Sequence, residues 1–249
     1  MTWYDKNWKY RAPVAVHNNG AGTTIDAQVT VPPHWDHFWN TIESNGHSIR
    51  FAQSDGTTLA AYNRSSWTYA SRTGVFDIDS ISAIGNEVVA VYMYWGNAGA
   101  SDGSTSPSIS GAKDAEIEVG APTTPVITLA LDPYGNSNPR PRIQKTVSEV
   151  LDIWIDCRPM LSRRISTNAG STRYEEIFSI NMDVEANGAS QASMFDESKT
   201  RVIDPGWARV RVKAGANNTS YTLIPRITTS LGRVIEARAI MKVVNTNEA

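Results

Sequence analysis

The chain has 249 residues, 41% of them hydrophobic, with 23 basic and 25 acidic side chains and a net charge of −2. This length favours two domains of about 100–130 residues, each able to bury a core. The near-neutral balance argues against the concentrated basic face that general nucleic-acid binding needs, so no nucleic-acid partner is expected.

Export and membrane insertion are also disfavoured. The longest apolar run, Val88–Trp95, is far shorter than the about 18 residues that a membrane-spanning helix requires. The N-terminus lacks the cationic start and apolar stretch of a secretory signal peptide. We therefore expect no membrane partner and synthesis in a cytoplasm without a signal peptide. Cys157 is the single cysteine, which excludes an intrachain disulfide.

The first half of the sequence alternates short β-type runs with turn-forming clusters such as Asn18–Gly20 and Ser54–Gly56. The runs are rich in β-branched and aromatic residues, which is typical of strands. The predicted strands are Ala12–His17, Ile25–Val31, Ile49–Gln53, Gly74–Ile78 and Val88–Trp95.

One segment of the first half has a helical pattern instead. Trp35, Phe38, Trp39 and Ile42 follow two prolines at the i, i+3, i+4, i+7 spacing of one helical face. The spacing predicts a short helix near residues 34–42, packed across the end of a β-sandwich.

Residues 96–124 have almost no large apolar side chain, which is typical of a linker or a long surface loop. Ala115–Val119 is the one stretch there that favours a strand. We place the domain boundary near its end, with a first domain at 1–122 and a second at 123–249, joined by a short linker.

The second half resumes the alternation of apolar and polar residues with a period of two. No segment of it predicts a helix, and Ser230–Arg233 is typical of the turn of a last hairpin. Several short strands separated by turns favour an immunoglobulin-like β-sandwich, so the whole chain is predicted to be all-β. The strands are predicted at Val126–Leu131, Val150–Asp156, Ile177–Glu185, Ala208–Val212 and Ile235–Val243.

Several residue pairs have the spacing of a reactive site. His34 and His37 share one side of the predicted helix, but no third ligand is evident for a metal. Asp77 with Asp79, and Glu116 with Glu118, each share one face of a strand at a separation that a glycosidase also uses. Any solvated sheet face gives the same pattern, so we expect no catalytic residue, no metal and no cofactor.

Two further features are weighed against ordinary packing. Cys157 lies in a strand-like run and is expected to be a buried small side chain, while Arg158, Arg163 and Arg164 form a basic cluster that is expected to be solvated. Among the tryptophans and tyrosines of the first half, Trp67 and Tyr69 lie in a polar run. They are the pair predicted to be exposed and to contact a glycan or a protein partner.

Three blocks of the first half are similar to a known family. Trp3–Arg11, Ile49–Thr57 and Tyr92–Asn97, in that order, resemble the DUF2341 family, a β-sandwich domain of uncharacterised activity found in prokaryotic surface proteins and some phage proteins. The resemblance implies a jelly-roll-like sandwich. Residues 46–48, Gly-His-Ser, stand where the family tends to carry an acidic residue, so this chain departs from the family there.

The second half resembles the small immunoglobulin-like domain that ends many phage virion proteins, of the fibre–tail adaptor or head decoration type. The matching residues are Val150–Ile153, Gly215 and, above all, the stretch SYTLIPRITTSLGR at 220–233. The resemblance implies a context, the phage particle, rather than a chemistry.

Together these resemblances predict a non-enzymatic structural protein of a tailed bacteriophage virion, made in the host cytoplasm. It would act as a capsid decoration protein or a fibre/tail adaptor, present in several copies and attached to other virion proteins. The main alternative is a carbohydrate-binding module that adheres to host or environmental glycans, with a glycan-cleaving enzyme as a third possibility.

Overall fold

The computed structural model describes residues 4–107, 109–119, 125–129, 141–161, 165–166, 172–173, 175–203 and 206–245. Nearly all regular structure in them is β, in one large mixed sheet, a four-stranded sheet and a two-stranded sheet. The predicted all-β sandwich fold with one short α-helix is confirmed. Within the same residues no helix has the length and apolar character needed to cross a bilayer.

The first half, residues 1–122, contains one α-helix, α1 (Asp36–Thr41), and eight strands among its described residues. The strands are β1 (Tyr10–Asn18), β2 (Thr24–Thr30), β3 (Arg50–Ala52), β4 (Leu59–Ala60), β5 (Tyr62–Thr68), β6 (Thr73–Ser82), β7 (Glu87–Trp95) and β8 (Lys113–Glu116).

The second half, residues 123–249, contains twelve strands in the part that the structure describes and two 3₁₀ helices, at Arg158–Met160 and Ala192–Met194. The strands are β9 (Val126–Thr128), β10 (Arg142–Thr146), β11 (Leu151–Asp156), β12 (Ile165–Ser166), β13 (Thr172–Arg173), β14 (Ile177–Ala186), β15 (Ala189–Ser190), β16 (Phe195–Ile203), β17 (Trp207–Val212), β18 (Thr219–Thr229), β19 (Val234–Glu236) and β20 (Ala239–Val244).

The large sheet runs through both halves in the order β10-β20-β18-β14-β7-β1-β8-β2-β6-β5. The halves join where β14 pairs with β7, with Ser179 opposite Val89 and Ile180 opposite Val88. The four-stranded sheet, in the order β16-β17-β11-β9, belongs to the second half. Its edge strand β16 lies against β1, β7 and β14, so the second sheet covers the junction.

Strand β7 is buried from Val88 to Trp95 because each of its faces packs against a different core. Val91, Met93 and Trp95 belong to the core of the first half. The alternate residues Val88, Ala90, Tyr92 and Tyr94 belong to a core shared with the second half. Successive side chains of a strand point to opposite faces, so one unbroken apolar run serves both cores.

Helix α1 confirms the helix predicted near 34–42. Phe38 and Trp39 are buried, and Trp39 donates from its indole nitrogen to the Pro32 carbonyl at 2.9 Å. Asp36 lies in the first turn, where a negative charge is favourable to the helix dipole. The helix is only six residues long, so its stability comes from this packing rather than from its own hydrogen bonds.

Residues 96–124, predicted as a linker or a long surface loop, do not only connect the two halves. Most of 96–112 crosses the surface of the first half, and β8 then inserts between β1 and β2, antiparallel to one and parallel to the other. The predicted last strand at 115–119 is present as Lys113–Glu116. The predicted boundary at 122/123 lies outside the described residues.

The last hairpin follows the predicted turn. Gly232, at φ +76°, donates to the Thr229 carbonyl, and Thr229 donates to the Arg233 carbonyl. The strand predicted at 235–243 is split into β19 and β20 opposite Pro225 in β18. Proline has no N–H to donate across a ladder, so the pairing is interrupted at that position.

Candidate functional site

The predicted partner or glycan pair, Trp67 and Tyr69, lies beside α1. The Trp67 ring is 5.4 Å from the Trp39 ring at an interplanar angle of 30°, and its indole nitrogen donates to the Ser44 carbonyl at 2.9 Å. The Tyr69 hydroxyl donates to the Trp39 carbonyl at 3.0 Å, and the side chain is 39% exposed. Both residues are therefore anchored to the helix, with Trp67 half-buried and Tyr69 the more open of the two.

Two glycines make room for the Trp67 ring. A Cβ on Gly46 would lie 2.8 Å from the indole, and one on Gly74 would lie 3.1 Å from it. Gly46 also has a φ of +64°, which side-chain-bearing residues adopt at a cost. Trp67 thus fills a space that the backbone is shaped to provide, which favours a packing role for its ring. Contact of either aromatic with a ligand stays a prediction.

The first of the two carboxylate pairs that resembled a glycosidase site makes separate contacts. Asp77 accepts hydrogen bonds from the Gln28 amide at 2.7 Å and from the Ser65 hydroxyl. Asp79 accepts one from the Ser80 hydroxyl at 2.8 Å. These are cross-strand and local contacts of an exposed sheet face, so each carboxylate is held by its own neighbours.

The second carboxylate pair faces the junction between the halves. Glu116 forms an ion pair with Arg201 and a longer one with Lys199 at 3.7 Å. Glu118 forms one with Arg209 at 2.9 Å. Burial raises the pKa of Glu118, and Arg209 opposes that rise. Both carboxylates thus hold the two halves together.

The two histidines of the predicted helix remain on the surface. His37 packs edge-on against Tyr10, with ring centroids 5.0 Å apart, and Asp36 between the histidines pairs with Arg72. No group of three or more histidine, cysteine, aspartate or glutamate side chains that would fit a metal ion occurs in the described ranges.

Cys157 and Arg158 lie side by side in different surroundings. Cys157 is fully buried, and burial raises the pKa of its thiol, so it is a poor nucleophile. Arg158 is exposed, pairs with Asp156 at 2.8 Å and stacks 4.5 Å over the Trp207 ring. The other two members of the predicted basic cluster, Arg163 and Arg164, lie outside the described residues.

The junction itself contains buried charges that the sequence did not reveal. Arg11 of β1 forms an ion pair with Glu176, and both side chains are less than a tenth exposed. The Arg11 guanidinium lies 4.6 Å from the Tyr92 ring centroid, a cation–π geometry. The Ser179 hydroxyl also donates to Glu87 across the β14–β7 join. Polar contacts between the two halves therefore stabilise this face of the junction.

A second buried contact joins β16 to the end of β1. Arg201, 1% exposed, donates from Nη1 to Nε2 of His17, which is 6% exposed, at 2.8 Å. Burial and the charge of Arg201 lower the pKa of His17 from 6.5 to about 4. His17 is therefore neutral at pH 7, with its ring proton on Nδ1 because Nε2 accepts from arginine.

A polar cavity of about 430 Å³ opens at this end of the junction. The first half contributes the end of β1 and the start of β8, and the second half contributes the bulged part of β16. Its lining consists of His17, Asn19, Gly111, Ala112, Lys113, Asp114, Glu197 and Ser198. Sequence reasoning missed this site because its residues come from the ends of two strands, the adjoining turn and loop, and a bulge, none of which has a periodic pattern.

Ser48, in the Gly-His-Ser run at 46–48, is held by polar contacts. Ser48 is fully buried, and its hydroxyl donates to the Glu43 carboxylate. The same hydroxyl oxygen accepts from the Gly96 backbone N–H at 3.1 Å. An acidic side chain therefore reaches this place from the segment after α1.

Comparison with known proteins gives only weak similarities. No family model and no curated protein matches the chain. Among solved structures, the chain is similar to one described as "Anomalous substructure of Titin-A168169", at 10% identity and a TM-score of 0.24, over 94% of this chain and 100% of that one. It is also similar to SporoSAG from Toxoplasma gondii, at 11% identity and a TM-score of 0.23, over 98% and 95%. Neither likeness bears on function.

Proposed function

We propose that the protein is a non-enzymatic structural component of a tailed bacteriophage virion that attaches one virion protein to another. The observation that carries the proposal is a rigid junction together with exposed apolar side chains at both ends of the longest described strand, β18. The family resemblances of the two halves, which stay predictions, point to the phage particle as the setting.

Rigidity follows from the junction. The two halves share a continuous sheet through β7 and β14, and two buried arginines form ion pairs across it, Arg11 with Glu176 and Arg201 with Glu116. Relative motion would have to break these contacts and expose the apolar face of β7. A body of this kind transmits a fixed distance and orientation, which suits an adaptor or a decoration protein.

Exposed apolar side chains mark the two ends of β18. Leu231 and Val234, at the hairpin after Thr229, are 56% and 60% exposed. Val147 and Val150 are 37% and 55% exposed. Val147 lies near the Thr219 end of β18, because its N–H donates to the carbonyl of Val244, next to the Val243 that pairs with Thr219. An eleven-residue strand spans about 33 Å, so the two apolar ends lie far apart. Exposed apolar side chains are candidates for protein contacts.

A particle-level experiment tests the proposal. Cryo-electron microscopy of the phage particle that encodes the chain, at side-chain resolution, is expected to show its density with Leu231 or Val150 against a neighbouring protein. Density on the icosahedral shell would identify a decoration protein, and density at the tail or fibre base would identify an adaptor. Absence of the chain from the particle would overturn the proposal.

The glycan-binding alternative at the aromatic face has less support. Trp67 is enclosed by Gly46, Gly74 and Trp39, and the Tyr69 hydroxyl is already bonded to the backbone of α1. Sugar-stacking platforms need an open ring face, and Tyr69 is the one of the pair that is more than a third exposed.

A further inference from the structure

Two residues that line the cavity at the junction have buried side-chain atoms without a hydrogen-bond partner. Nδ1 of His17 and Oε1 of Glu197 are both buried without a hydrogen-bond partner, and both residues line the cavity. The backbone carbonyl of Glu197 faces the imidazole and partly offsets the lowering of its pKa, without completing a hydrogen bond to Nδ1. Buried polar atoms normally find a partner, so this pair points to a missing one.

The two atoms have complementary roles. Because Nε2 of His17 accepts from Arg201, Nδ1 carries the ring proton and is a donor, while the Glu197 carboxylate oxygen is an acceptor. A hydroxyl group both donates and accepts through one oxygen atom. A ligand hydroxyl is therefore a suitable partner for either atom.

Other residues that line the cavity add further hydrogen-bond donors and acceptors. Lys113 donates to the Asn19 side-chain oxygen at 3.1 Å, which leaves the Asn19 amide nitrogen as a further donor. Asp114 and Ser198 add an acceptor and a hydroxyl. Closely spaced donors and acceptors of this kind match the neighbouring hydroxyls of a sugar ring.

The charges and the volume of the cavity further restrict the class of ligand. An anion would meet two carboxylates, Asp114 and Glu197, and a cation would meet the Lys113 ammonium. The lining contains no phenylalanine, tyrosine, tryptophan or large aliphatic side chain among the described residues, which disfavours an apolar ligand. A volume of about 430 Å³ falls at the small end of ligand sites. From these observations we infer that the junction cavity is a binding site for a neutral sugar, held between the two halves of the chain.

This site is separate from the aromatic face and does not depend on where the protein lies in a particle. It is tested with the full chain by isothermal titration and ligand-observed NMR, using glucose, galactose, mannose, N-acetylglucosamine and their common disaccharides. We expect at least one of them to saturate with one site per chain. Glu197→Ala and Asn19→Ala should each weaken its binding about tenfold, the effect of losing one or two hydrogen bonds.

Matched variants show whether the sugar binds in this cavity or elsewhere on the chain. Gln28 lines a neighbouring surface depression across β8 that shares only Asp114 with the cavity, and Tyr69 lies on the aromatic face, so Gln28→Ala and Tyr69→Ala should both bind the sugar as the unmodified chain does. Circular dichroism and thermal unfolding confirm that each variant is folded. Failure of every sugar to saturate would overturn the proposal, as would loss of binding in Tyr69→Ala with binding retained in Glu197→Ala.

Discussion

His17 and Arg201 are 184 positions apart in the chain, yet their side chains meet in the interior, where Nη1 of Arg201 donates to Nε2 of His17 at 2.8 Å. His17 belongs to the C-terminal end of β1, and Arg201 belongs to β16. A protonated imidazole would place two cations side by side in a buried site, so the contact requires a neutral histidine.

This requirement makes stability depend on pH. The pKa of His17 is about 4 in the folded chain and 6.5 when unfolded, so between these values the unfolded chain binds more protons. The contribution of His17 to the free energy of unfolding is then fully present above pH 6.5 and is lost as pH drops toward 4, by about 3 kcal/mol in total. Urea denaturation at about pH 7.5 and about pH 4.5 measures the difference.

His17→Gln is the control for this pH dependence, because its side-chain oxygen can accept from Arg201 without titrating. The groups around the imidazole are Arg201, Asp114, Lys199 and the Glu197 carbonyl, none of which the substitution alters. The variant should lose about 3 kcal/mol less than the unmodified chain between the two pH values. An equal loss in both proteins would show that His17 is not responsible.

Removal of Arg201 should lower the free energy of unfolding more than removal of an exposed arginine does. Arg201→Ala leaves the buried Nε2 of His17 and one side of Glu116 without their partner, and we expect a loss of about 3 kcal/mol in the free energy of unfolding. Arg226→Ala is the control: Arg226 also forms carboxylate ion pairs, with Asp183 and Glu236, but is 41% exposed. Its loss should be below about 1 kcal/mol, and similar losses in both variants would contradict a special role for the buried pair.

The space around Trp67 is tested by a pair of glycine substitutions. Gly46→Ala would bring a Cβ within 2.8 Å of the indole at a φ of +64°, whereas Gly111→Ala, at +63°, meets nothing within 4 Å. Both carry the backbone cost of about 1 kcal/mol, and only the first adds overpacking of about 1–3 kcal/mol. Thermal unfolding should therefore separate the two variants, and equal melting temperatures would mean that the ring moves freely aside.

Strand β7 shows how far the sequence predicts this fold. Its apolar run predicts a buried strand, and the spacing of Trp35 to Ile42 predicts α1, because both patterns are local. The partner of each β7 face is not predictable, since a run that is apolar on both faces contains no period that distinguishes one core from the other.

The buried contact of Arg201 with His17 at the junction was not predictable for a related reason. Arg201 follows the polar run Asp196–Thr200, and a charged residue in such a run is ordinarily exposed. A β-bulge places the Arg201 side chain in the interior. Between two successive paired positions β16 runs from Asp196 to Arg201, whereas β17 runs only from Arg211 to Arg209. Bulges re-aim side chains without altering composition, so sequence periodicity does not reveal them.

The shared strand predicts that the two halves unfold together. Met93 is fully buried in the core of the first half, and Met93→Ala should lower the free energy of unfolding by about 2–4 kcal/mol. Because β7 also pairs with β14, amide hydrogen exchange measured by mass spectrometry should quicken in β14 as well as in β2. Val234→Ala, in the exposed hairpin, should change neither strand, and faster exchange confined to the first half after Met93→Ala would show that the halves open independently.

Attachment through the apolar ends of β18 predicts the behaviour of surface variants in the particle. Each exposed apolar side chain that a partner covers contributes about 1.5–3 kcal/mol, so Leu231→Asp with Val234→Asp, or Val150→Asp, should lower the number of copies per particle at least about tenfold. Leu59→Asp is the control, because Leu59 is 43% exposed but lies in the first half, away from β18.

The copies are counted by quantitative mass spectrometry of purified particles assembled with each variant, and thermal unfolding of the free proteins checks that all remain folded. Loss of copies at one end of β18 identifies that end as the attachment surface. Loss at both ends indicates a protein that bridges two neighbours, as an adaptor must. Full copy numbers with both end variants, or an equal loss with Leu59→Asp, would contradict attachment through these side chains.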